Sequence, residues 1–329
     1  MKKCTVKSPA NIAFVKYWGK TDPKTRVPAT NSISMCLLEL FSTCTIEFQE
    51  KLQQDEVEFV GEKVVTGREL SRIIKVLDRV RDLAKTDCKA RVVTQNNFPK
   101  ATGIASSASG LSSVTMAAVG SLEIDLTQEE LSKLARLASG TASRSIPDGF
   151  VEWQKGTSPD NSYGVSIFPP DHWQICDVVA VVTKKMKKIS SSDGHKLADT
   201  SPFYEARIKG MSEKIEAIKR AIKQKDLTTF GEIVEREALN MHAICLTSKP
   251  PILYWEAATM DLMRQVTEWR QAEGLECYFT IDAGPTVHII CQAKDAKQVA
   301  AKASQVTGVD EVSINHPSIG ARYSDKHLF

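Results

Sequence analysis

Pro99-Lys100-Ala101-Thr102-Gly103-Ile104-Ala105-Ser106-Ser107-Ala108-Ser109-Gly110 is the stretch on which the reading of this chain turns. Small residues dominate it, and Leu111, Val114, Ala117 and Ala118 follow at helical spacing. Backbone N–H groups at a helix start, flanked by serine hydroxyls, form a cradle for phosphate. Glycine and alanine let the backbone approach the anion. The GK[ST] ending of a Walker A loop is missing. Taken alone, a flexible Gly/Ser linker explains the segment equally well; the helix pattern directly behind it favours the cradle.

Working outward, the upstream half mixes strand and helix. Cys44 to Phe48 alternates as a half-buried strand does. Leu70, Ile73, Ile74, Leu77, Val80 and Leu83 repeat at helical spacing. Downstream, Thr127 with Glu130 predicts a capping box, and Leu131, Leu134 and Leu137 its buried stripe. The character changes over residues 184–203, where Lys184, Lys185, Lys187 and Lys188 precede the loop Ser190 to Gly194 and read as a solvated face. Long helical patterns follow, through Ile208, Met211, Ile215, Ile218 and Ile222, and again from Thr259 to Trp269. Near the end, Cys277–Ile281 and 286–291 read as a hairpin joined by Asp282-Ala283-Gly284-Pro285.

The 329 residues are 42% hydrophobic and 25% charged, an ordinary globular composition. A single core stops growing at about 250–300 residues, so two lobes are expected, 1–184 and 185–329. A net charge of +3 is too mild to argue for nucleic acid. No 18-residue apolar run predicts a membrane span, and no secretory signal follows Met1. The eight cysteines form no CxxC pair, so they read as buried thiols of a cytoplasmic protein.

Three further segments carry chemistry, each beside a plainer reading. Ser139 to Ser145 packs hydroxyls around Arg144, whose fork fits a carboxylate or phosphate; alternatively Gly140 caps a helix and Arg144 is a surface residue. Asp282, after five strand-like residues, is placed to orient or deprotonate a hydroxyl, or stands in an ordinary turn. Asn11 to Lys20 gathers Lys16, Tyr17 and Lys20, which suit phosphate, or is a strand with a solvated tail.

These segments occur together and in order. Ser8-Pro9-Ala10-Asn11-Ile12-Ala13 with Lys16-Tyr17-Trp18-Gly19-Lys20 resembles the opening of mevalonate diphosphate decarboxylases. Asn97 to Ser107 resembles their phosphate loop, Ser139 to Ser145 with Gly149 to Trp153 their substrate-binding helix start, and Thr280 to Pro285 their catalytic aspartate segment. Ser190 to Gly194, Met241-His242-Ala243 and Pro250-Pro251 are weaker matches. The likeness runs from about residue 5 to about residue 290. It implies the two-lobed α/β fold of the galactokinase, homoserine, mevalonate and phosphomevalonate (GHMP) kinase superfamily. The N-terminal lobe would be ribosomal-protein-S5-like and the C-terminal lobe ferredoxin-like, with the active site in the cleft between.

The resemblance also implies the reaction: ATP phosphorylates a tertiary C3 hydroxyl, and phosphate and CO2 then leave to give an isoprenoid alkene. Asp282, Lys16 and Arg144 would be catalytic. Tyr17, Trp18, Lys20, Ser139, Gly140, Thr141, Arg144, Asp193 and His195 would bind substrate. Pro99, Thr102, Gly103, Ala105, Ser106, Ser107, Ser191 and Ser192 would bind ATP, with Ser106 and Ser107 at Mg2+. A homodimer is the family expectation. Two segments depart from the pattern: Thr30 in Pro28-Ala29-Thr30-Asn31-Ser32, and Ser192-Asp193-Gly194-His195. An aspartate repels a second phosphate and a histidine donates to a single one. These departures favour mevalonate 5-phosphate as the substrate, with mevalonate 5-diphosphate as the alternative. A kinase that stops at the phosphate ester is a further alternative.

Overall fold

A computed structural model describes residues 2–61, 65–98, 106–184 and 187–329. In chain order its strands are β1 (Cys4–Val15), β2 (Lys20–Asp22), β3 (Val27–Pro28), β4 (Ser32–Gln49), β5 (Glu56–Phe59), β6 (Lys89–Asn96), β7 (Phe150–Trp153), β8 (Gly164–Phe168), β9 (Ile175–Val181), β10 (Cys277–Ile281), β11 (Val287–Gln292), β12 (Glu311–Asn315) and β13 (Arg322–Ser324). Its helices are α1 (Gly67–Ala84), α2 (Ser106–Ser121), α3 (Gln128–Ala138), α4 (Ser191–Gly194), α5 (Tyr204–Lys209), α6 (Met211–Gln224), α7 (Leu227–Thr247), α8 (Ala257–Glu273) and α9 (Ala296–Ala303).

The result is a mixed α/β architecture around two sheets. The larger runs β13-β1-β4-β6-β5, and the long β4 also pairs β7, which pairs β8. The smaller runs β10-β11-β9-β12. β9 therefore enters the second sheet ten residues ahead of residue 185, and the last strand, β13, returns to pair β1 of the first. One core lies between the large sheet and α1–α3, and another between the small sheet and α8 and α9. A third joins the sheets: Ile12, Phe14 and Met35 of the first pack with Val179 and Ile290 of the second and with Phe230 of α7. That shared core fixes the cleft in which β1 and β10 end side by side.

Local rules explain most boundaries. Thr127 and Glu130 form the reciprocal capping box at α3, and Leu131 and Leu134 are buried below it. Leu137 is exposed, however, and Ala135 and Ala138 complete the buried stripe instead. The helical pattern from Ile208 to Ile222 breaks at Gly210, which separates α5 from α6. The hairpin forms with Cys277 opposite Cys291. All eight cysteines are free thiols, seven of them buried.

Candidate active site

β1 ends at Val15, and the next residue turns its ammonium inward. Lys16 Nζ donates to Asp282 Oδ1 at 2.6 Å and to the Ala13 carbonyl at 2.7 Å, and its side chain is 1% exposed. Behind it, the buried Glu237 carboxylate of α7 accepts the Lys16 backbone N–H and is itself held by Arg207 and Lys214. Arg207 closes the loop by donating to the Lys16 carbonyl. Asp282 is held in turn by α7, where His242 Nε2 donates to the Asp282 carbonyl oxygen at 3.1 Å. Burial and the neighbouring Lys16 push the His242 pKa down to about 3, so the ring stays neutral. Burial alone would raise the Asp282 carboxyl, but Lys16 above all, with His288 and Arg144, holds it below the ordinary value. A half-buried carboxylate at the cleft wall thus stays ionised, aimed by two fixed partners.

Arg144 faces the same pair. Its Nε and Nη2 share Asn11 Oδ1 at 3.2 and 3.1 Å, and its Nη1 donates to Ser32 Oγ at 2.8 Å. Asn11 is fixed by donating to the Thr141 carbonyl and to Ser145 Oγ. Burial lowers the guanidinium pKa to about 10, which leaves it charged at neutral pH. The tight turn Gly140–Arg144 at the end of α3 is what brings it inside. Gly140 itself is a contact point, since a Cβ there would sit 2.8 Å from both the Trp153 and Tyr17 rings. Ser139 Oγ lies 3.2 Å from Thr141 Oγ1 and 3.4 Å from Ser107 Oγ.

One cleft is lined by Lys16, Tyr17, Trp18 and Lys20, by Ser107, Ser139, Gly140, Thr141 and Arg144, by Ser191, Ser192 and His195, and by Asp282. Asp193 lies in an adjoining basic hollow, which also reaches Lys20, Arg26, Arg72 and His195. Pro99, Thr102, Gly103 and Ala105 lie outside the described residues. Ser106 is described as the first residue of α2, the helix expected behind the phosphate cradle.

Two family models match the chain: a diphosphomevalonate decarboxylase-like N-terminal domain over residues 8–164 and a mevalonate 5-diphosphate decarboxylase C-terminal domain over 177–320. The chain belongs to the mevalonate diphosphate decarboxylase family. A diphosphomevalonate decarboxylase from Candida albicans is 35% identical, covering 88% of this chain and 84% of its own. A phosphomevalonate decarboxylase from Haloferax volcanii is 30% identical, covering 87% of each. The crystal structure of mevalonate diphosphate decarboxylase from Staphylococcus aureus superposes with a TM-score of 0.93 at 36% identity over 98% of both chains. A structure of MDDEF in complex with MVAPP, AMPPCP and magnesium gives 0.92 at 30% identity over 98% of this chain and 99% of that one. The two-lobed fold is that of the GHMP kinase superfamily, and the chain is an ATP-dependent decarboxylase. Its family binds an ATP analogue and magnesium.

The family comparisons favour the diphosphate alternative over the monophosphate leaning: both family models and the Candida albicans and Staphylococcus aureus relatives are diphosphate enzymes, beside one phosphomevalonate decarboxylase. The geometry supplies the reason. Asp193 turns to Arg68 at 2.8 Å, to Lys196 at 3.1 Å and to Ser190, and the Arg68 bond in particular holds its carboxyl far below the ordinary range. These partners offset the charge that Asp193 presents to the cleft. Ser190 caps α4 and accepts the Asp193 N–H. His195, which also reads as an exposed loop residue, instead stacks between Tyr17 and Trp18, with ring centroids 4.1 and 4.6 Å away. Gly19 N–H donates to its Nδ1 at 3.0 Å, and burial pulls its pKa well down.

Sequence reasoning missed the basic wall around them. Arg26, Arg68 and Arg72 come from a β2–β3 turn and from α1, whose polar face reads as solvated. Arg72 reaches across to Ser192 Oγ at 2.6 Å. Lys187 also departs from the solvated-face reading: it is half-buried, donates to the Ala283 carbonyl, and burial pulls its pKa to about 8. Met241-His242-Ala243 is the one signal in the sequence that points to the α7 support of Asp282.

Proposed function

We propose that the chain converts mevalonate 5-diphosphate to isopentenyl diphosphate, with ATP as phosphoryl donor. The observation that carries the reading is the Lys16–Asp282 pair, buried at the lysine and open to the cleft at the aspartate, facing Arg144. ATP supplies the phosphoryl group that turns the tertiary C3 hydroxyl into a leaving group. Asp282 orients that hydroxyl and takes its proton, and Lys16 balances the negative charge that develops there. Arg144 holds the C1 carboxylate in the geometry from which CO2 departs. Positioning and fixed charge carry most of such a reaction.

The diphosphate reading is supported by Lys20, Arg26 and Arg72. Burial, together with the mutual repulsion of these cations, lowers the Lys20 pKa to about 8. Such a cluster fits a multiply charged anion. The start of α2, with Ser106 and Ser107, fits the ATP phosphates and Mg2+. The nucleoside fits the slot between α1, β6 and α2, where Phe59, Ile73, Leu111 and Val114 give an apolar floor and Thr94, Asn96, Arg68, Glu69 and Arg72 a polar rim. Ser191 and Ser192 close the phosphate end. On this reading residues 1–184 carry the nucleotide and 185–329 bring Asp282 to it. Free thiols fit a reducing cytoplasm, and a homodimer remains the family-based expectation, to be checked by light scattering.

The test is ATP-dependent CO2 release with mevalonate 5-phosphate and mevalonate 5-diphosphate side by side. Higher kcat/KM for the diphosphate is expected. Preference for the monophosphate would assign His195 to a single-phosphate pocket, and ADP without CO2 would mark a kinase.

A further inference from the structure

A polar row crosses the small sheet on the face that shares a core with the first sheet. Asn315 of β12 stands opposite Asp177 of β9, and Thr280 of β10 stands opposite His288 of β11. Asp177 is in register with Ile290, two residues from His288, and Asp177 Oδ2 lies 2.7 Å from His288 Nδ1. All four residues are at most 2% exposed. Each leaves one polar atom without a partner: Asn315 Oδ1, Asp177 Oδ1, His288 Nε2 and Thr280 Oγ1. Their neighbours on that face, Val179, Tyr278 and Ile290, are apolar core. Burying polar groups there costs stability, and apolar side chains of similar volume would fill the space more favourably. The row ends at Thr280, two residues before Asp282. Same-face diagonal neighbours in a sheet lie about 7–8 Å apart, within reach of long side chains.

We propose that Asp177 and His288 form a buried positioning dyad that keeps a positive charge behind Asp282, with ordered water filling the open valences along the row. The inference rests on Asp282 being the acting carboxylate, as proposed above. A carboxylate wholly inside the protein is best stabilised by a cation at hydrogen-bond distance, and among the described residues His288, at 2.7 Å, is the side chain paired with Asp177. The imidazolium so formed adds to Lys16, the larger influence, in holding the Asp282 carboxyl down against its burial. Of the other titratable groups near this row, Tyr278 on the same face and Cys176 and Cys291 on the opposite face are kept protonated by burial. Lys16 pairs directly with Asp282, and Arg144 acts on it in the same sense. His242 of α7 is neutral and bonds the Asp282 carbonyl. Glu39 of β4 is engaged by His316 at 2.6 Å. The buried polar row, completed by water, thereby stiffens β10 where the reacting carboxylate leaves the sheet, and it biases that carboxylate towards its charged form.

Two measurements test the dyad. Nitrogen-15 NMR of the wild-type protein, which needs no substrate, should show His288 protonated on both nitrogens at neutral pH; a neutral ring would overturn the proposal. The second measurement is the pH profile of kcat/KM. In His288→Gln the acid limb should move up, so that at pH values below both limbs the variant loses about tenfold more activity than wild type for each unit of displacement. His288→Lys, which restores a cation, should move the limb back. A His288→Gln profile parallel to wild type would sink the idea. Should that variant fail to fold, the Asp177→Asn/His288→Gln pair, neutral on both sides, gives the same reading. Absence of CO2 from wild type would defeat the proposed reaction instead, while the NMR result would still decide the charge.

Discussion

At the scale of single residues the site is a set of charges held where water cannot screen them. Asp282 accepts from Lys16, and the neutral His242 ring fixes its backbone carbonyl, so Asp282→Asn changes charge with little change of shape. Turnover should fall by roughly 10²–10⁴-fold, the usual range for a positioned acid–base group. Substrate affinity measured by calorimetry should stay within a few-fold; near-normal turnover would remove Asp282 from the mechanism. Arg144→Lys keeps the charge but loses the fork shared between Asn11 and Ser32. The loss of a charged hydrogen bond is about 1.5–3 kcal/mol, so kcat/KM should drop about 10- to 100-fold, with an unchanged value ruling out the carboxylate clamp. Lys20 and Lys187 titrate at about 8 because burial disfavours their charge. Both are protonated below that value and neutral above it, so kcat/KM should fall as pH rises through about 8. Lys20→Arg should keep more of its activity on that limb, and a flat profile in wild type would mean that neither lysine meets the phosphates.

Elements explain which residues were legible. The α3 capping box could be read from Thr127 and Glu130 because both partners lie within one turn. Thr127→Ala should cost about 1 kcal/mol, seen as a lower Tm with kcat untouched. Leu137 shows where the pattern misleads: a threefold leucine spacing drifts around a 3.6-residue helix, and by its last turn the stripe has rotated out to solvent. Lys16, Asp282 and Arg144 were legible through the family resemblance, since each sits in a short contiguous motif. Arg72 was not, because nothing in α1 says that its polar face meets the turn at Ser192, 120 residues away. Likewise Glu237 and Arg207 read as ordinary charges on amphipathic helices, and only the fold buries them beneath Lys16. Gly140→Ala belongs to this scale too. Its Cβ would meet Tyr17 and Trp153, so kcat/KM should suffer while the α3 helix itself keeps its stability; equal activity would show that the rings shift freely.

Across the whole molecule the net charge is only +3, yet cations concentrate at one mouth. Lys20, Arg26, Arg68, Arg72 and Lys196 crowd the hollow beside the cleft, and Asp193 already answers Arg68 and Lys196. Of the others, Lys20, Arg26 and Arg72 also line the cleft itself and form a local field that the overall charge conceals. Half-buried cations are screened less than exposed ones, but the approach of an anion from solution is screened in full. As the Debye length shrinks from about 10 Å at 0.1 M salt to about 3 Å at 1 M, KM for the substrate should rise while kcat changes little. Removing one member tests whether the field is specific. Arg72→Gln keeps a donor for Ser192 but deletes the charge, so it should raise KM for mevalonate 5-diphosphate more than for mevalonate 5-phosphate and flatten the salt dependence. An equal rise for both would mean that Arg72 acts through the turn at Ser192, orienting Ser191 and Ser192, rather than through the second phosphate. That outcome would return the choice between the two substrates to Lys20, Arg26 and His195.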